Sequence, residues 1–162
     1  MSTGADLVDA LFLEAFQTEE SARAHPAREA KRLGAVPPAA AMLAISRHAE
    51  SSLKRLRELA AARGKKTAAK AGMGIGQLFS IVRTFAADHL LSNERSYRLT
   101  VVGVHHGLGV FLMLRDAALA NGDEELAEYC VWLLRERRPL CGVAEAALVW
   151  FAQHPELALQ KR

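Results

Sequence analysis

The chain has 162 residues, 51% of them hydrophobic, which suffices for one substantial core and leaves little room for a second, so a single domain over residues 1–162 is expected. Ala, Leu, Arg and Glu recur throughout and β-branched stretches are few, so summed propensity makes the expected class all-α. A net charge of +3 arises from 21 basic residues spread among 18 acidic ones, and this mixture argues against a nucleic-acid protein built on one long basic block.

The first helix is expected from about Asp6 to Ala24, with Thr3 as its cap and Leu7, Val8, Leu11, Phe12, Ala15 and Phe16 at helical spacing. His25-Pro26 should break or kink it, because proline removes a donor and restricts the residue before it, leaving a short piece to Leu33 and Gly34. Pro37 and Pro38 open a second helix that runs to about Arg63 and stops at Gly64, with a seam of Met42, Ile45, Ala49, Leu53, Leu56 and Ala60. A basic turn, Gly64-Lys65-Lys66-Thr67, and a glycine-rich entry, Gly72 to Gly76, lead to a helix from about Ile75 to Leu90. Ser92 caps the next helix, about Asn93 to Ala120, which ends at Asn121-Gly122. Asp123 opens the last, to about Gln153, kinked at Pro139 and stopped near His154-Pro155. Four core helices in an up-and-down arrangement, plus an extra broken one at the N-terminus, are the expected architecture.

The chemical signals outside this pattern are sparse. Cys130 and Cys141 stand eleven residues apart on one helix, roughly 16 Å if it is continuous, too far to bridge. With no secretory pattern in Met1 to Asp6, a reducing cytoplasm is the expected compartment. The apolar run Leu99 to Leu114 is shorter than a bilayer requires and reads as a buried helix. His25 and Glu29 share a helical face but lack a second such pair, and Gly74-Ile75-Gly76 lacks the strand and lysine of a phosphate loop. Gly103 and Gly107 let another helix approach closely. The cluster Lys54, Arg55, Arg57, Arg63, Lys65, Lys66 and Lys70 is interleaved with Glu50 and Glu58 and has no aromatic residues, so nucleic acid is not the expected partner. No nucleophile stands beside a base, and Cys130, Cys141, Trp132, Trp150 and Phe151 read as packing groups.

Two stretches, Arg47 to Leu56 and His105 to Phe111 followed by Ala120 to Ala127, resemble the bacterial ferritin-like family of YciE/YciF-type stress proteins, in order and spacing over nearly the whole chain. The resemblance implies a ferritin-like antiparallel four-helix bundle with an additional helix, often dimeric, around a carboxylate-rich di-iron centre. Such a centre needs glutamates from four helices, with histidine or another carboxylate one turn from two of them.

Carried over residue by residue, the resemblance leaves that centre incomplete. Glu14 stands at the glutamate of the first helix, in line with Leu11 and Thr18. On the second helix the register leaves either Ser51 or His48 at the glutamate position, and neither is a carboxylate. On the third, His105 is kept and the following glutamate has become Gly107. On the fourth, the paired glutamates fall at Glu136-Arg137 and the next acidic position at Cys141. Arg137 lies in line with Leu126, Cys130, Leu133, Leu140 and Ala144, so it is expected inside, as a fixed charge where a cation belongs and within reach of Glu14.

The expected function is therefore a non-enzymatic ferritin-like protein, stress-related by resemblance, without a cofactor, acting through self-association as a homodimer or through another protein partner, and not in a membrane. The alternative is an atypical iron or manganese site formed by Glu14, His48, His105 and Glu136.

Overall fold

The computed structural model describes residues 3–64 and 91–161. The basic turn at residues 65–67, the glycine-rich entry and the helix expected from Ile75 to Leu90 lie outside them. Among the described residues the chain is all-α, without a strand; the one β-type contact is an isolated bridge between Ser92 and Lys161.

Helix α1 spans Gly4–Leu33, and it begins with a reciprocal cap: the Thr3 hydroxyl accepts from the Asp6 amide while the Asp6 carboxylate accepts from the Thr3 amide. The expected break at His25-Pro26 is absent. Pro26 sits fully buried inside one continuous helix. The amide that Pro26 lacks would have served the Ala22 carbonyl; beside it, the Arg23 carbonyl accepts from the Ser46 hydroxyl of a neighbouring helix at 2.7 Å, tying the two helices together at this turn.

Helix α2 spans Pro37–Ala62, close to expectation, and every residue of the expected seam is buried. Helix α3 spans Asn93–Ala120, but the Ser92 hydroxyl makes no capping bond and instead approaches Glu94 at 3.4 Å. Helix α4 spans Glu124–Ala146, with the Asp123 side chain accepting from the Leu126 amide. It continues without a break through Pro139, which is exposed, so water can serve the carbonyl that loses its partner. The interruption falls at Ala147, followed by α5 (Leu148–Gln153) and α6 (Pro155–Ala158). Just before that break the Ala144 carbonyl accepts from the buried Tyr97 hydroxyl at 2.9 Å, a competitor for the acceptor that a continued helix would use.

The N-terminal helix is no appendage. α1 packs against α2 and α3, and α4 packs against α2 and α3, so the four long helices share one core. Which ends meet gives their directions. An added Cβ at Gly4 would touch Asn121, Arg32 at the far end of α1 bonds Asn93 at the start of α3, and Arg63 at the end of α2 bonds Asp123 at the start of α4. Adjacent helices run in opposite senses, whereas α2 and α3, consecutive in sequence among the described helices, run in the same sense.

Most of the expected core is buried, including Phe12, Ile45, Leu56, Phe111 and Leu133. Leu7, read as part of the first seam, is 49% exposed. Taken whole, α3 has the length and mean hydropathy of a membrane span, yet it buries one face, Tyr97, Val104, Phe111 and Leu114 among others, against its neighbours.

Candidate functional site

The middle of the helical core is polar. Glu19, 1% exposed, lies near the midpoint of α1 where the seam Val8, Phe12, Ala15 continues by threes and fours to Ala22 and Pro26. Arg137 comes in from α4, 2% exposed, and its Nη2 donates to Glu19 Oε2 at 2.8 Å. Its Nε donates to His48 Nδ1 on α2, also at 2.8 Å. Ser52, one turn further along α2 and fully buried, exchanges a hydrogen bond of 2.6 Å with the Tyr129 hydroxyl. Five side chains from three helices therefore meet at the core in two hydrogen-bonded groups, Glu19–Arg137–His48 and Ser52–Tyr129.

Burial pushes the Glu19 carboxyl up, while Arg137 and the Ser52 hydroxyl pull it back toward the charged form. Burial, helped by the Arg137 charge, brings the His48 imidazole down to about 4, so it is neutral at pH 7. Because Nδ1 accepts from Arg137, the neutral ring carries its proton on Nε2, an atom that is buried and meets no acceptor among the described residues. The His48 ring stacks on Trp132 at 5.3 Å, and the Arg55 guanidinium lies over the same indole at 3.9 Å. Burial also raises the Tyr129 phenol, so the network offers no ionised hydroxyl at neutral pH.

The residues expected from the sequence are scattered around this centre rather than gathered in it. Arg137 is inside, as expected, but its carboxylate partner is Glu19 and not Glu14. Glu14 is half-buried at the α1–α3 boundary and faces His106 at 3.4 Å. His105 faces the other way, toward Glu145 on α4 at 2.9 Å. Glu136 is exposed and pairs with its neighbour Arg135. Of the four expected ligands only His48 reaches the interior; Ser51 is exposed. Gly107 does bring helices together, since a Cβ there would stand 3.5 Å from Thr18 Cβ, but Gly103 faces open space.

The centre does not fit a metal ion. The two groups able to ligate one, Glu19 Oε2 and His48 Nδ1, are both held by the same guanidinium, which keeps its charge. Among the described residues no three of His, Cys, Asp and Glu are grouped to hold one. Nor does the core provide a nucleophile: Cys130 and Cys141 are free and buried, with thiols pushed up by burial to about 12 and about 11.

A second buried carboxylate, Glu29, lies near the C-terminal end of α1. It is paired with Arg32 and accepts from the Ser96 hydroxyl at 2.8 Å, while Arg32 also bonds the side chain and carbonyl of Asn93. Asn93 in turn bonds the Leu157 carbonyl at 2.8 Å, tying α1, α3 and the C-terminal segment together. His25, which shares a helical face with Glu29, lies beside Arg28. Of the basic cluster, Arg57 pairs with Glu20 and Arg63 with Asp123.

Sequence reasoning missed Glu19, Ser52 and Tyr129. The signal for Glu19 was present as a carboxylate occupying the next step of an otherwise apolar seam. Comparison with family models, with curated proteins and with solved structures finds no match for this chain.

Proposed function

We propose that the chain is a non-enzymatic ferritin-like protein, an antiparallel four-helix bundle in which an arginine–carboxylate pair stands in the place of the di-iron centre, and that it acts through self-association. The observation that carries this reading is Arg137 held between Glu19 and His48 at the core. Two antiparallel helical pairs whose middle helices run in the same sense match the helix directions of a ferritin-like bundle, and this supports the assignment. The inert, buried thiols suit the reducing cytoplasm proposed for it.

The test is elemental analysis of untagged protein together with an iron-oxidation assay. The expected outcome is far less than one iron or manganese per chain and no oxidation above buffer. Stoichiometric metal that survives dialysis against a chelator sinks the reading.

A further inference from the structure

Between Arg98 and Arg115, α3 carries no Asp, Glu, Lys or Arg. Half of that stretch is not core. Val102 is 63% exposed, Met113 58%, and the His106 side chain 55%, and with Leu99 and Gly109 they form one outward stripe about 21 Å long. The outward face of a helix is ordinarily polar. Gly109 adds to the anomaly, since a Cβ there would meet nothing, its backbone is ordinary helix, and glycine weakens a helix by about 1 kcal/mol relative to alanine. Among the described residues the core does not use the exposed side chains of Val102 and Met113, while His106 also faces Glu14 on α1 at 3.4 Å.

The stripe is complementary to itself. Set antiparallel against a second copy with the two-fold axis at His106, Leu99 meets Met113 of the second copy, and the Val102 side chain meets the gap left by Gly109. At the ends, exposed Arg95 meets Asp116, which is two-thirds exposed and also bonded by its neighbour Arg115 at 2.7 Å. Apolar faces apolar, large faces small and positive faces negative, each twice over, as an isologous interface demands. We propose that α3 is the self-association face of this protein, pairing with α3 of a second copy about His106. The proposal rests on the reading that the chain acts by self-association and names the surface that does it.

The test is sedimentation velocity on the full chain over a concentration series, with circular dichroism to verify folding. The expected result is a dimer that Met113→Glu and Gly109→Leu each weaken by about tenfold or more, because each puts a charge or excess volume at the contact. Arg95→Asp alone and Asp116→Arg alone weaken it by setting like charges opposite, and the double variant R95D/D116R restores it; only this pairing register predicts that rescue. His106→Cys on the axis gives an oxidised covalent dimer, whereas Lys54→Cys on α2 does not. A monomer at every concentration, or a dimer indifferent to Met113→Glu and Gly109→Leu, overturns the proposal. Metal content of the same samples separates the two readings: a metal-free monomer overturns the interface alone, and a metal-loaded dimer sensitive to Met113→Glu supports the interface while the ion-pair reading falls.

Discussion

Glu19 and Glu29 are two buried carboxylates on one helix, each paired with an arginine, yet they are held in different ways. Glu29 takes its arginine from the next turn of its own helix and reaches other helices through Ser96 and Asn93. Glu19 takes its arginine from α4, 118 residues away in sequence, in a place where both charges are almost wholly removed from water. The first arrangement trims one end of the molecule; the second couples its middle. In the low-dielectric interior, the cost of orphaning a charge grows with burial, so the two should respond unequally to the same kind of substitution.

Removing Arg137 is the most damaging change expected. Arg137→Ala strands the Glu19 charge and should lower unfolding stability by about 3–5 kcal/mol in urea titration, whereas Glu19→Leu with Arg137→Met, which removes both charges, should recover most of that loss. A loss below about 1 kcal/mol for Arg137→Ala would mean that the pair is not desolvated. Arg32→Ala should cost about 1–3 kcal/mol, because Ser96 still serves Glu29 and Arg32 is partly exposed. Its distinguishing mark is faster amide exchange at Asn93 and in the C-terminal segment, with the exchange of α4 unchanged.

The central network should also impose a pH dependence. His48 has a folded value of about 4 against an ordinary value of 6.5, so the unfolded chain binds its proton first. Its contribution is present above pH 6.5 and is lost as pH falls toward 4, amounting to about 1–2 kcal/mol once partial solvent access is allowed for. Stability measured from pH 7 to pH 4 should show this fall in the parent and less of it in His48→Gln. The smallest effect belongs to Tyr97→Phe, which deletes only the hydroxyl bond to Ala144 and should cost about 1 kcal/mol in the same titration.

What was legible in the sequence was governed by local rules. The caps at Thr3 and Asp123, the seam of α2 and the interior line of α4 all follow from spacing and side-chain chemistry, and they place Arg137 inside. What was not legible depended on other helices. Pro26 is buried against other helices, beside a turn that Ser46 on α2 ties down, and the break at Ala147 coincides with a carbonyl bonded to Tyr97 on α3. Glu14 was expected at the site because the resemblance sets it at the family's glutamate, on a line with Leu11 and Thr18; the seam through Phe12 and Ala15 instead turns inward at Glu19. His105 and His106, adjacent in sequence, point to α4 and α1 respectively, so neither could join His48.

The long separation between Glu19 and Arg137 also has a kinetic meaning. Each helical hairpin, α1 with α2 and α3 with α4, can form from contacts close in sequence, while closing the loop between residues 19 and 137 requires the two hairpins to have docked. The ion pair then belongs to the last stage of folding, and its loss should speed unfolding far more than it slows refolding. On that view Arg137 acts as a latch on the finished molecule: it sets how long a folded chain persists rather than how quickly one is made.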